Sequence, residues 1–576
     1  MPPGLPHNCS VPLVRQPLSW DPPTIAARTP DTRPIGCYVW QNKTMLNISL
    51  SNPDPLSQCL DVIWKTTSYE PRLRDCIDIG ERYGKWYGGF NKLSAFPLGQ
   101  EEIDETLYLP GQMFGSMTER LWISSKGVAV KVNGNHPLHV SVVKQPETGE
   151  YSLCLENRLG FFEGDRYLNY SVCQDGSTGG VLQRIMGRYY PEPVEGDFGV
   201  QYSHPIYNLE SDANNLIQQL NLSNLQYNFL LDNAKNIVDT TPVPSTIPSV
   251  SVGYRVSPYI SVSDPLFRNN TQSNMWLTST DMDVPRLFLF NNETCALLNM
   301  SSDAAQQLVK GSLPAADMPV QLSQAFIGDI RGQEFYNILE ANQTFQPYIE
   351  NFFTVIDNST TGPIVTRLAN GLTGTRAIFT LPEITDLQQA VISMMQTSMM
   401  GYRFFSSGLL TDNLSSKEFI RALQFSIFSP VLHVSESALN SYNDSQVVHE
   451  YKQWLTIRNK TIFKLILEHF KHDHAFEPLI VPTWWYEQST QPTYRNDQFM
   501  FTRYYLVAPL LDPEATSREV YFPEGYWLRI WLNHESTSYD DPRERKFYIG
   551  PSTEIVSNLG YQDLLIFRFE APLGEL

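Results

Sequence analysis

Hydrophobic and polar positions alternate along this chain in three different textures. Over residues 1 to about 195, apolar residues recur at every second position in short runs. In "ERLWISSKGVAVKVNGNHPLHVSVV" (119–143), Val128, Val130 and Val132 alternate with Ala129 and Lys131, "NGN" interrupts the run, and "LHVSVV" resumes it. That pattern predicts a β-hairpin. "CLDVIWKTTS" and "YSLCLENRLG" read as further short strands. An antiparallel β-sandwich is the expected product.

From about 196 to 500 the texture changes. Short apolar runs, "YNFLLD" (227–232), "YRVSPYISVS" (254–263), "MPVQLSQAFI" (318–327) and "GPIVTRL" (362–368), alternate with helical periodicity. The predicted helices are "SDAAQQLVK" (302–310), "TDLQQAVISMMQTSMM" (385–400), "SKEFIRALQFSIF" (416–428) and 447–470. In the last, Val448, Tyr451, Leu455, Ile462 and Ile466 lie roughly on one face. Strand–helix alternation over this length favours parallel α/β and suits a (β/α)8 TIM barrel. A doubly wound sheet is the alternative, but "GSTGG" (176–180) fits neither phosphate-cradling glycine pattern. From about 501 onward short strands return, in "REVYFPEGYWLRIWLN" and "DLLIFRFEAP". The expected fold class is therefore α/β and β multidomain: a sandwich over 1–195, a barrel over 196–500 and a small C-terminal β-domain over 501–576.

Composition narrows the partners and the compartment. Hydrophobic content of 42% and aromatic content of 12% suit a packed globular chain. A net charge of −19 argues against nucleic acid, whose phosphates need clustered Lys and Arg. Thirteen Asn-X-Ser/Thr sequons begin at Asn8, Asn42, Asn47, Asn169, Asn221, Asn269, Asn292, Asn299, Asn342, Asn358, Asn413, Asn443 and Asn459. That excess points to the secretory lumen or the cell exterior. All seven cysteines (Cys9, Cys37, Cys59, Cys76, Cys154, Cys173, Cys295) lie in roughly the first half, without CxxC spacing. Several disulfides are expected there, with one thiol free or paired between chains. "MPPGLPHNCSVPLV" is no signal peptide, and no apolar run is long enough to span a membrane. The chain is expected to be a luminal portion whose leader or membrane anchor is absent from the given sequence. No cofactor or metal motif is found. "EHFKHDHAFEP" (468–478) places His469 and His472 three apart, beside Glu468 and His474, but cations at a helix C-terminus are explained by its dipole.

"DQFMFTRYYLVAPLLDPEATSREVYFPEGYW" (497–527) resembles the end of the barrel in glycoside hydrolase family 31, many positions matching in one register. "FEPLIVPTWWYE" (476–487), "SMMGYRFFSSGLLTDN" (398–413), "YRVSPYISVSDPLFR" and "TRLANGLTGTR" (366–376) resemble further barrel segments of that family. "DCIDIGERYGKWYGGF" (75–90) resembles the N-terminal sandwich of an animal branch of glycosylated type II membrane proteins. The resemblance implies the sandwich, barrel and C-terminal β-domain already expected from the pattern.

It also implies where the chemistry belongs. A retaining glycosidase uses two carboxyl groups about 5 Å apart, one as nucleophile and one as acid/base. The nucleophile position falls at or near Ser323, followed by Gln324 and Ala325, and Asp329 lies six residues late. The acid/base position falls near Phe379, with Glu383 four residues on. The substrate-binding acid of the seventh strand falls near Gly408, with Asp412 four residues later. No catalytic residue is matched, and Asp329 and Glu383 are the remaining candidates. Asp232 and Arg367 match sugar-contacting and carboxylate-orienting positions, and Gln424 matches a pocket-facing one although a helix interior explains it as well. The expected function is a catalytically lapsed pseudo-glycosidase that binds a carbohydrate, an anionic small molecule or a partner protein. The alternatives are an active retaining O-glycosyl hydrolase on α-linked sugars, and a pure scaffold.

Overall fold

In a computed structural model, the described residues are 32–40, 44–54, 57–66, 73–90, 96–106, 117–133, 138–157, 166–190, 205–209, 227–231, 250–256, 258–271, 274–278, 284–285, 287–290, 293–313, 320–322, 352–359, 364–366, 377–442, 445–471, 476–487, 493–532 and 546–571. The N-terminal part forms two antiparallel sheets. The larger runs Thr32–Trp40, Thr44–Asp54, Ser57–Thr66, Arg166–Gln174, Val128–Val132, Met117–Ser124, Trp86–Phe90. The smaller runs Leu73–Asp78, Tyr151–Asn157, His139–Lys144, Ile103–Thr106. Inward residues of both, including Trp122, Val130, Leu168, Val140 and Leu153, share one buried core, as in a β-sandwich. Cys59 and Cys173 face each other in register and are bonded, as are Cys76 and Cys154. Cys37 is also disulfide-bonded, whereas Cys295 is a free, buried thiol.

One expectation fails here. Val128–Val132 and His139–Lys144 are not a hairpin, because they belong to different sheets. Val128–Val132 pairs instead with Met117–Ser124 and Arg166–Gln174. Alternation marks a half-buried strand but carries no information on which sheet it joins.

The central part holds eight parallel strands, in chain order Ile206–Leu209, Tyr227–Leu231, Val250–Val256, Val320–Leu322, Ile364–Thr366, Ala377–Phe379, Ser406–Leu410 and Val431–Ser435. Neighbours in sequence are neighbours in space, and the eighth strand pairs with the first. The sixth and seventh are joined by parallel bridges, Phe379 to Phe405 and Glu383 to Leu409. Ile206, Val365, Ile378 and Val431, from the first, fifth, sixth and eighth strands, form a small cluster of their own. Their alternate neighbours Tyr207, Ile364, Ala377, Phe379, Leu432 and Val434 pack outward into the main core with the helices.

The helices follow their local signals. Ser416–Ser426 starts with a capping box, Ser415 accepting from the Glu418 amide while Glu418 accepts from the Ser415 amide. Hydrogen bonding from the Ser415 hydroxyl, then from the Ser415 amide, holds the Glu418 carboxyl below its usual range. The predicted 447–470 helix is Ser445–Ile457 and Phe463–Lys471, joined by a π turn at Arg458–Ile462. Arg458 lies on the same face as Tyr451 and Leu455 and is buried, its guanidinium donating to the carbonyls of Ile427, Ser429 (2.8 Å) and Pro430 (2.7 Å). Burial lowers the Arg458 pKa to about 10.

The C-terminal sheet is antiparallel, in the order Ile480–Val481, Phe499–Phe501, Tyr505–Ala508, Leu565–Ala571, Ser517–Ile530, Phe547–Ser557. Asp497 anchors it, accepting from Arg495 Nε (2.9 Å) and Nη2 (2.7 Å) with Arg518 at 3.2 Å. Burial would raise the Asp497 pKa, but the Arg495 and Arg518 guanidiniums outweigh it and hold the carboxyl below 3.8.

Two stability measurements check these anchors. Arg458→Met strands three buried carbonyls, and chemical denaturation is expected to show a loss of about 3 kcal/mol or more. Asp497 has a depressed folded pKa, so its stabilisation is complete above the ordinary value of 3.8 and lost as pH falls below it. The melting temperature of Asp497→Asn should lie below the parent's at neutral pH, and the gap should close as pH falls below that value.

Candidate functional site

In a parallel α/β sheet the strand ends at the carboxyl side gather loops from separate strands, so side chains placed there converge. Ser323, Asp329, Asp232 and Arg367 lie outside the described residues. Phe379 is 4% exposed and ends the sixth strand. Because Ile378 faces the interior cluster, Phe379 points the other way, and its ring packs on Tyr402 at 4.9 Å. The next interior-facing position is Thr380, buried, whose hydroxyl donates to the Thr366 carbonyl at 3.3 Å.

Glu383 sits beyond this strand end, half-buried, on backbone held to the seventh strand. The Ile384 amide donates to the Leu409 carbonyl and the Leu409 amide to the Pro382 carbonyl, each at 3.0 Å. Gly408 permits that approach: its φ is 132°, and a Cβ there would lie 2.8 Å from the Pro382 carbonyl oxygen. The strand shifts register between Ser406 and Leu409 at this point. The Glu383 carboxylate accepts hydrogen bonds from the Thr411 hydroxyl and the Asn413 amide. Asp412, between them, faces away and accepts from Ser437 at 3.1 Å. The structure thus brings Glu383 and Asp412 onto adjacent strand-end segments but turns them to opposite sides, each engaged by neutral donors. Tyr442 pins the Asp412 segment by donating to the Leu414 carbonyl, and burial, then Asp412 and Glu418, push its pKa up to about 12.

Strand eight supplies two groups that sequence reasoning missed. His433 is fully buried, in register with Ile206 and Leu409, and alternation from Val431 puts it on the interior face. Glu436, also buried, opens the following helix, Glu436–Ser441. The signal was available: "VLHVSES" puts a histidine and an acid at alternating or terminal positions of an otherwise apolar strand.

Other candidates find structural work. Gln424 is buried in the Ser416–Ser426 helix, where Nε2 donates to the Tyr561 carbonyl (2.9 Å) and Oε1 accepts from Arg421 (3.1 Å). His469 contacts the Glu477 carbonyl at 3.0 Å. His472 and His474 lie outside the described residues. Among the described residues no group of three or more His, Cys, Asp or Glu could hold a metal. Asn269, Asn358 and Asn413 are exposed, Asn47, Asn169, Asn299 and Asn459 are half-buried, and Asn42, Asn221, Asn292, Asn342 and Asn443 lie outside the described residues.

Residues 476–555 match the family model described as the glycosyl hydrolase family 31 C-terminal domain. Over that segment the chain is similar to glycoside hydrolase family 31. It is 22% identical over 544 residues to the SITS-binding protein of Tetronarce californica, covering 84% of this chain and 76% of that protein. It is 20% identical over 579 residues to the myogenesis-regulating glycosidase of Mus musculus, covering 87% of this chain and 77% of that protein. Among solved structures, a family 31 sulfoquinovosidase from E. rectale superposes with a TM-score of 0.68 at 12% identity, over 94% of this chain and 88% of that one. A family 31 dextranase from Flavobacterium johnsoniae gives 0.69 at 10% identity, over 94% and 72%. These structures share the fold of this chain.

Gly408→Ala tests how Glu383 is positioned. An added Cβ collides with the Pro382 backbone and is strained at this φ, so a loss of about 2 kcal/mol or more is expected in denaturant titration.

Proposed function

We propose that this family 31 relative is a pseudo-glycosidase: a carbohydrate-binding protein whose eight parallel strands close as a (β/α)8 barrel and whose strand-end face no longer cleaves glycosides. The division into a sandwich over 1–195, a barrel over 196–500 and a C-terminal β-domain over 501–576 belongs to this reading. Bridging between the sixth and seventh strands, and pairing of the eighth with the first, support the closed barrel.

One observation carries the lapse. Where an acid/base carboxyl is required, the sixth strand ends in Phe379, turned outward against Tyr402. An aromatic ring can neither protonate a leaving oxygen nor stabilise an oxocarbenium ion as a carboxylate does. A sulfoquinovosidase in complex with an aza-sugar inhibitor and a dextranase complexed with glucose have the same fold, which supports a sugar as the favoured ligand. Asp232 and Arg367 are assigned to its contacts, an anionic small molecule being the second class. The disulfides suit an oxidising compartment, and among the described residues no helix is long and apolar enough to cross a membrane. A luminal or extracellular location, reached through an anchor of the type II kind outside this sequence, with glycans at the sequons, completes the reading.

A second reading rests on Glu383, a carboxylate retained near the strand ends. In it the chain is an active retaining hydrolase of α-linked sugars that uses Glu383 and Asp329. Turnover of aryl α-glucosides and α-galactosides separates the two. The pseudo-glycosidase reading expects none, with sugar-dependent stabilisation in thermal melts. Clear hydrolysis that disappears in Glu383→Gln or Asp329→Asn would overturn it.

A further inference from the structure

The C-terminal sheet carries a cleft of about 500 Å³, within the range of about 300–1,000 Å³ usual for small-molecule sites. Three elements build it. The turn Thr483–Tyr486 and the adjoining Glu487 form one wall. The tight turn between Phe499–Phe501 and Tyr505–Ala508 brings Arg503 and Tyr504 to the rim. The bulged part of Ser517–Ile530 contributes Glu524 and Trp527. Thr502, which opens the tight turn, has a φ of 52°, a costly conformation for a β-branched residue. Such strain is retained where the surroundings enforce it, and binding sites are common among those places.

The cleft holds polar capacity that the protein does not use. Thr483 is 1% exposed, and its hydroxyl has no hydrogen-bond partner. Glu487 Oε1 accepts from the Tyr521 hydroxyl, but Oε2 is buried without a partner. Burial raises the Glu487 pKa against the opposing effects of that Tyr521 bond and of the Thr493 backbone. The Arg503 guanidinium lies over the Tyr486 ring at 5.6 Å. Trp527 closes the cleft, its indole N–H donating to the Pro523 carbonyl at 2.8 Å and its ring edge-on to Phe569. Tyr504 stands 55% exposed at the mouth. Buried polar atoms left unpaired are costly, so these are positions at which a ligand restores hydrogen bonds.

Charge selects the ligand class. A simple anion is opposed by Glu487 and Glu524, and a simple cation by Arg503. A neutral polyhydroxylated ring suits all three, since its hydroxyls donate to carboxylates and accept from the guanidinium and Thr483. Its C–H face packs on the exposed Tyr504 ring, as apolar surface packs on aromatic rings. We propose that this cleft is a saccharide-binding site on the C-terminal sheet, separate from the strand-end face.

The test uses the full chain with maltose, lactose and N,N′-diacetylchitobiose as neutral probes, and choline and sulfate as charged ones. Hydrogen exchange should show protection at 483–487 and 502–504 with at least one disaccharide and with neither charged probe. Tyr504→Ala removes an exposed ring and should weaken that binding about tenfold without moving the melting temperature. Glu487→Gln, read by the same titration, keeps the proposal falsifiable if the first variant misfolds. Protection by choline or sulfate instead, no protection by any disaccharide, or unchanged affinity in both variants would overturn it. Protection confined to 406–413 and 431–436 would also overturn this site while leaving the proposed strand-end function standing.

Discussion

A single guanidinium fixes the strand on which the central sheet closes. Arg458 donates to three carbonyls in the turn between the Ser416–Ser426 helix and the eighth strand. Arg458 is completely buried, so the guanidinium rather than water serves those carbonyls. With the turn set, Val431–Ser435 enters at the height that pairs it with both the first and the seventh strands. The helix carrying Arg458 is itself tied to the first strand, through the Tyr451 and Tyr207 hydroxyls at 2.6 Å. That fixed entry sets the register of the eighth strand against its two neighbours.

The sheets are not independent beads. Tyr87 of the larger N-terminal sheet stacks on Trp484 at 4.8 Å, beside the C-terminal sheet, and Ser125 meets the Tyr494 hydroxyl at 3.1 Å. Gln396, in the helix before the seventh strand, donates to the Phe90 carbonyl at 3.2 Å. Tyr402, the ring against Phe379, donates to Glu119, whose other oxygen is paired with Lys131. The outward turn of Phe379 therefore has a structural use: it joins the sixth strand to a buried ion pair of the N-terminal sheets. One continuous core runs through Tyr87, Ile185, Leu423 and Phe522, so apolar burial across the sheet boundaries acts on all of them together.

Period and punctuation made most elements legible. The helices at 303–312, 387–399 and 416–426 and the short strands at 227–231 and 364–366 stand where the pattern put them. Pairing partners were not legible, because alternation is identical in every half-buried strand. The valine run 128–132 illustrates this: it looks continuous with 139–144, yet the two serve different sheets. Register at the sixth strand was equally hidden. In a three-residue strand, a shift of one residue exchanges inside for outside, and only contact with the interior cluster shows that Ile378, not Phe379, faces in. Arg458 shares the spacing of the apolar face set by Tyr451, Leu455 and Ile462, yet a charged side chain there gives no sign in the sequence of the carbonyls it serves. The cleft around Thr483, Arg503 and Trp527 gathers three distant segments, and nothing in any one of them announces it.

Ser415 occupies two roles at once. It is the hydroxyl residue of the Asn413 sequon and the N-cap of a helix, where its side chain already accepts from the Glu418 amide. The Asn413 amide is likewise engaged by Glu383. In the finished fold, then, neither half of this acceptor site is at liberty to enter an enzyme's peptide-binding groove. Any oligosaccharide at Asn413 has to be installed while the segment is still unstructured, which makes its occupancy a record of how fast this loop closed during biosynthesis.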